Sequence, residues 1–404
     1  PTPLAYFTDY ANMQNFGLPK TIGTFIITAS HNPPQYNGLK LTYNKELVSE
    51  DKMGRLKEIV QKGDFPTAKK KGISKDYDMA PEYINFLTER FEHISADIKV
   101  VIDSGNGTAG LVAPELYRKF GCNVIDILSE PDGNFPVHHP NPSDEKNIQL
   151  LKQKVLETKA DFGLAFDGDS DRLGVIDEMG NAIPGDMLLL IFALEILDKT
   201  AKNGKKPVFV SEVKCSQYLY DEIEKNGGEA IMWKTGHGFI KSKMKEENAV
   251  LAGEMSGHIF FKDRYFGYDD AFYSGLRFIE IITERKIIDS KFKTSDLLKI
   301  LPGGSSSKEM RVPCPDEYKQ SVIAEISKEM SLNPYLFGEK VQNVIKIDGL
   351  RIVFDGGFAL IRASNTEPVF TLRFEAKTKE KAEKYASVMQ ELIDKNLATL
   401  SQLV

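Results

Sequence analysis

The sequence predicts an α/β body followed by an α+β module, and three observations carry that expectation. Over about the first three quarters of the 404 residues, short apolar runs alternate with amphipathic stretches, the mark of βαβ units on a mostly parallel sheet. At 302–307 a glycine- and serine-rich stretch reads as a loop or linker. Beyond it a helix is followed by several strands in close succession and then a last helix, an α+β order.

In chain order, residues 23–28 read as a buried strand, and 98–103, 161–166, 207–210 and 249–252 continue the series. Between them, 113–120 and 148–158 read as helices. In the module, the pattern predicts a helix over 316–330, strands over 344–347, 349–354, 359–362 and 370–376, and a helix from Lys379 to about Asn396. The run Lys69-Lys70-Lys71 reads as a solvated loop.

Composition narrows the function. Hydrophobic residues at 41% and charged residues at 27% fit an ordinary soluble chain able to bury several cores. A net charge of −6 without a long basic block argues against nucleic-acid and membrane-surface roles, which need clustered Lys and Arg. It leaves small anionic substrates open. Cys122, Cys215 and Cys314 are scattered and odd in number, with no metal pattern or disulfide framework, so a cytoplasmic location is expected. The longest apolar run, 187–197, is broken by Glu195 and is too short to span a bilayer, and no signal peptide is visible.

Four loops, each at a predicted strand end, carry chemistry. In Thr28-Ala29-Ser30-His31-Asn32-Pro33, a strand delivers Ser30 into an Asn-Pro turn beside His31, with Lys40 close behind. This suits a serine that accepts and returns a group, although a capping serine would use the same letters. In Asp167-Gly168-Asp169-Ser170-Asp171-Arg172, three carboxylates at alternate positions repel one another unless a cation sits among them. Arg172 stands where a calcium loop needs glycine, so a hard divalent ion, Mg²⁺, is favoured over Ca²⁺. Gly253-Glu254-Met255-Ser256-Gly257-His258 offers donors and acceptors suited to sugar hydroxyls, and Lys214 and His237 lie in weaker loops upstream. Arg362-Ala363-Ser364-Asn365-Thr366-Glu367-Pro368 offers a guanidinium fork, hydroxyls and loop amides for a phosphate, but no nucleophile. A fifth loop, Gly105-Asn106-Gly107-Thr108-Ala109-Gly110, fits the dinucleotide-binding spacing, with Asp126 about twenty residues on. It supports a nicotinamide-dependent oxidoreductase as an alternative, one that leaves the other four loops without a role.

The four loops, in this order, resemble the signatures of the α-D-phosphohexomutase superfamily. Met255 and Asn365 resemble its phosphomannomutase/phosphoglucomutase branch, whereas Glu367 is shared with the phosphoglucosamine mutases. The resemblance implies three related α/β (mixed-sheet) domains plus a C-terminal α+β domain around a central cleft. Expected bounds are 1–80 for the phosphoserine domain, 81–183 for the metal-binding domain, 184–301 for sugar recognition and 302–404 for phosphate binding. It implies interconversion of hexose 1- and 6-phosphates, of mannose and/or glucose, through phosphoserine and a 1,6-bisphosphate that serves as intermediate and activator. Ser30 would carry the phosphoryl group, with Asp167, Asp169 and Asp171 binding one Mg²⁺ together with the phosphate on Ser30. His31, Lys40, Arg172 and His237 would serve transfer. Lys214, Glu254, Ser256 and His258 would bind sugar, and Arg362, Ser364, Asn365 and Thr366 the non-reacting phosphate. A hinge is expected near Gly303-Gly304. Small sugar phosphates are the expected partners, with no nucleic acid and no membrane, and the assembly a monomer or dimer. Family members carry several dozen residues before the segment that opens this sequence, so an incomplete first domain is expected. A phosphoglucosamine mutase and an inactive sugar-phosphate binder are the remaining alternatives.

Overall fold

The computed structural model describes residues 1–48, 50–91, 97–200, 206–299, 305–307, 309–364 and 367–401. The expected hinge at Gly303-Gly304 lies outside them. The chain divides into two compact units, Pro1–Pro184 with Ser256–Asp296, and Gly185–Met255 with Leu297–Val404.

The main sheet of the first unit has the order Asn123–Ile127, Lys99–Asp103, Phe162–Phe166, Leu173–Asp177, Ala182–Ile183. Its first three strands are parallel and the last two antiparallel, a mixed sheet. Every residue of Phe162–Phe166 is buried, which explains an unbroken apolar run where an open sheet would alternate. Helix Gln149–Thr158 packs on this sheet through Leu151 and Val155.

A smaller antiparallel sheet joins Phe25–Ile27, Leu39–Tyr43 and Glu46–Leu47. Here the expected buried strand at 23–28 is corrected. Ile26 is buried, but Phe25 and Ile27 are 63% and 67% exposed. Side chains alternate faces along a strand, so Phe25 and Ile27 share a face with their partners Leu41 and Leu39, opposite to Ile26. An apolar run reports appetite for burial, not whether both faces are covered.

Helix Ala271–Ile288 is buried from Ala271 to Thr283, with its last turn open to solvent, and begins at Asp270, whose side chain accepts from Tyr273 N. The hydroxyls of Tyr83 and Tyr265 donate to the same carboxylate at 2.8 Å. Burial is the larger influence and lifts this carboxyl from 3.8 to about 6, against the hydrogen bonds that hold it down. A raised acid favours its neutral form, so its contribution is fully present below about 4 and is lost as pH rises through about 6. The melting temperature of the wild type should therefore fall by several degrees relative to Asp270→Asn between those limits. A difference independent of pH would count against this reading.

In the second unit, Glu229–Trp233, Val208–Glu212 and Leu251–Gly253 run parallel. The C-terminal part is an antiparallel sheet in the order Ser305–Ser306, Val369–Ala376, Gly357–Ala363, Leu350–Phe354, Asn343–Ile345. Met310–Pro313, a strand the sequence pattern did not suggest, also pairs with Val369–Ala376. Helices Asp316–Leu332 and Lys379–Ser401 close the core that holds Ile352, Phe354, Phe370, Phe374, Tyr385 and Met389. Each such large apolar side chain contributes about 1.5–3 kcal/mol on burial. On the other face, Phe358 and Leu360 meet Val213, and the fully buried Arg351 donates to the carbonyls of Val213 and Cys215 while lying 3.5 Å over the Phe358 ring.

Candidate active site

Ser30 follows the strand Phe25–Ile27 with a φ of +53°, a left-handed conformation unusual for serine that turns its hydroxyl off the strand line. Its amide donates to Thr28 Oγ1 at 2.8 Å. Its Oγ donates to Asp167 Oδ2 at 3.0 Å and lies 2.9 Å from His31 Nδ1. The close approach depends on Gly168, where a side chain would collide with the carbonyl of Ser30.

Asp167 organises its own loop, accepting the amides of Asp171 and Arg172 at 3.0 and 3.1 Å. Asp169 Oδ2 accepts from the hydroxyls of Thr2 and Thr28, and Lys40 Nζ stands 2.8 Å from Asp169 and 2.5 Å from Asp171. Asp167, Asp169 and Asp171 are all buried, with one oxygen of each within 4.8 Å of the others. Three carboxylates in such a group are a hard-donor set that can hold a divalent ion. Asp169 Oδ1 is buried without a hydrogen-bond partner among the described residues, an acceptor that suits a cation.

Burial, with the charges of Asp171 and Asp169, holds the Asp167 carboxyl well above the usual range. For Asp171, burial is outweighed by Lys40, His258 and Arg172, and its carboxyl lies well below. Lys40 is desolvated too, but Asp171 and Asp169 keep its ammonium well above the ordinary lysine range. Burial, aided by Arg172 and His139, pushes His31 down to about 4. Arg172 Nε lies 3.8 Å from Asp167 and 3.2 Å from His258 Nε2, which is also 3.2 Å from Asp171 Oδ1. Ser256 Oγ lies 3.1 Å from His258 Nδ1. The first unit thus gathers Ser30, His31, Lys40, Asp167, Asp169, Asp171, Arg172, Ser256 and His258.

The division falls inside the third loop, leaving Glu254 in the second unit. There Glu254 Oε1 accepts from Gly236 N at 2.7 Å, and His237 opens the helix His237–Glu246. Lys214 Nζ is buried 2.8 Å from Glu309 and 3.6 Å from Glu212. Burial alone would lower its ammonium, but Glu212 and Glu309 raise it. Arg362, on Gly357–Ala363, donates through Nε to Asp348 at 3.1 Å. Ser364 N donates to Val369 O, and Lys319 Nζ donates to the carbonyls of Ser364 and Glu367, pinning the fourth loop on both sides. Asn365 and Thr366 lie outside the described residues.

Several contributors carried no signal in the pattern. Thr2 reaches Asp169 across 167 positions. Glu212, Glu309 and Asp348 stand outside the four loops, and His139, whose ring meets His31 edge-on at 5.7 Å, follows no chemical spacing.

The glycine-rich loop Gly105–Gly110 turns inward. A side chain on Gly107 would meet the backbone of Gly168 at 2.7 Å, and one on Gly110 would collide with Ser129. Thr108 donates its amide to Gly168 O at 2.9 Å, and its hydroxyl lies 3.0 Å from Ser170 Oγ. These glycines serve contact with other loops of the chain, the carboxylate loop among them, where a nucleotide-binding loop would approach a pyrophosphate.

Comparison with known proteins points the same way. Residues 1–67, 81–180 and 184–300 match the phosphoglucomutase/phosphomannomutase alpha/beta/alpha domains I, II and III, and 309–392 match its C-terminal domain. The chain belongs to the phosphoglucomutase/phosphomannomutase family. It is a mutase, an enzyme of the isomerase class. A phosphomannomutase/phosphoglucomutase of Pseudomonas syringae pv. tomato is 39% identical over 96% of this chain and 78% of its own length. A phosphoglucomutase of Neisseria meningitidis is 39% identical over 98% and 81%. Among solved structures, a phosphoglucomutase/phosphomannomutase family protein of Burkholderia thailandensis superimposes with a TM-score of 0.87 at 34% identity, covering 98% of this enzyme and 81% of that chain. The matched domains, three of them α/β, accord with the expected fold class. No helix among the described residues is long and apolar enough to cross a membrane.

Proposed function

We propose that this enzyme interconverts hexose 1-phosphates and hexose 6-phosphates, of mannose and/or glucose, through a phosphoryl group carried on Ser30. The observation that carries the reading is a serine hydroxyl bonded to one of three buried, clustered carboxylates, with Lys40 beside the other two. Phosphoryl transfer asks mainly for positioning and charge neutralisation, and this inventory supplies both.

Asp167, Asp169 and Asp171 would hold one Mg²⁺ together with the phosphate on Ser30; when bound, it neutralises charge on the phosphate. Lys40 and Arg172 add positive charge around the transferring group, and Thr2 and Thr28 fix Asp169. Lys214, His237, Glu254, Ser256 and His258 recognise the sugar, with Glu254 and Ser256 on its 3- and 4-hydroxyls. Arg362, Ser364, Asn365 and Thr366 grip the phosphate that is not reacting. A sugar 1-phosphate takes a second phosphoryl group at O6 from Ser30, giving the 1,6-bisphosphate. After the intermediate reverses, its C1 phosphate returns to the serine. His31, Lys40 and His237 are the groups offered as general base for the attacking hydroxyl.

The test is ³¹P NMR of the protein with Mg²⁺ and a trace of hexose 1,6-bisphosphate, given mannose, glucose or glucosamine 1-phosphate in separate tubes. Formation of a 6-phosphate from the mannose or glucose ester is expected. Conversion of the glucosamine ester alone would move the enzyme to the other branch.

A further inference from the structure

We infer that Asp348 is a positioning residue that ties the phosphate-gripping arginine to the sugar-recognition loops of the same unit. The inference rests on the reading of Arg362 proposed above. Asp348 stands in the turn between Asn343–Ile345 and Leu350–Phe354. A single oxygen, Oδ2, accepts from Arg362 Nε at 3.1 Å and from the backbone amide of Thr235 at 3.0 Å. The next amide, Gly236 N, donates to Glu254 Oε1 at 2.7 Å, and the residue after it is His237. From Arg362 the path therefore runs through one carboxylate oxygen to the amide of Thr235, and across that single residue of main chain to the amide that holds Glu254.

The turn is shaped for this contact. Gly349 has a φ of +81°, and a side chain there would come within 2.7 Å of Arg362 Cα, so glycine lets Asp348 close on the arginine. The side chains of Arg362 and Asp348 are 8% and 17% exposed, which protects the charge-assisted bond from solvent screening. With Nε committed to Asp348, a phosphate meets the two Nη nitrogens as a fork of set orientation. Asp348 touches no substrate in this arrangement; it sets the angle of Arg362 and the position of the Thr235 amide, one residue ahead of the amide that holds Glu254, together.

The experiment is calorimetric titration of the full chain with glucose 1-phosphate, comparing wild type, Asp348→Ala, Arg362→Ala and the double variant. Asp348→Ala should raise Kd by about 10- to 100-fold, the scale of a lost hydrogen bond to a charged group. In the Arg362→Ala background the same substitution should cost no more than about threefold, because its effect passes through the arginine. Asp348→Asn keeps an acceptor for Thr235 N and should fall between wild type and Asp348→Ala. If Asp348→Ala fails to fold by circular dichroism, Asp348→Asn carries the same cycle. A Kd within twofold of wild type, or losses that multiply fully in the double variant, would overturn the inference while leaving Arg362 in its role. An Arg362→Ala variant that binds as well as wild type would overturn the role of Arg362, and this inference with it.

Discussion

Ser30→Ala should reduce turnover by on the order of 10⁴-fold or more, with little change in melting temperature. Removing a nucleophile that forms a covalent intermediate removes the whole two-step route, not a fraction of one step. The structure makes this substitution clean. Alanine keeps the Cβ that the left-handed turn at Ser30 already accommodates, so backbone strain is unchanged. The lost contacts are those of a half-buried hydroxyl with the buried Asp167 and the half-buried His31. Mass spectrometry after incubation with hexose 1,6-bisphosphate should find phosphate on the wild type and none on the variant. Turnover within tenfold of wild type would end the phosphoserine assignment, whatever else the protein binds.

Chelation should be the second large effect, lowering turnover by roughly 10³-fold, since a divalent ion at a phosphoryl group is worth several kcal/mol. Mg²⁺ should restore the rate. A readout independent of turnover comes from Asp169→Asn. The amide oxygen can still accept from Thr2 and Thr28, but the charge that faces Lys40 and a metal is gone. Wild type should melt at a higher temperature in millimolar Mg²⁺ than in chelator, because a ion bound only by the folded state stabilises it by mass action. The variant should show no such rise. An equal rise in both would place the ion elsewhere.

Much of this architecture was legible in the sequence because each loop carries its chemistry in adjacent letters. Three aspartates at alternate positions cannot avoid one another, and Asn32-Pro33 cannot continue a helix. The strands at 98–103 and 161–166 were legible because strands buried on both faces carry near-continuous apolar runs, here 100–102 and 162–166. What stayed hidden depends on distant partners. Nothing near Thr2 says that its hydroxyl meets Asp169, and nothing in Ile347-Asp348-Gly349 distinguishes a surface turn from one closed on Arg362. The sheet that leads to Ser30 was misread for a related reason. Phe25 and Ile27 look like core, and only the pairing with Leu39–Tyr43 reveals that their face is open.

The inward-facing glycine loop changes how damage to this enzyme should be diagnosed. Gly107 and Gly168 form a backbone-to-backbone seam directly behind Ser30. A bulky residue at either position would displace the serine and the carboxylate loop while touching neither substrate nor ion. In a survey of inherited or laboratory variants, such a change would imitate loss of a catalytic group, and at Gly107 its position in a familiar nucleotide-binding spacing would invite the wrong explanation. The fault would be one of alignment between two strands of polypeptide, and a map of ligand contacts would pass over it.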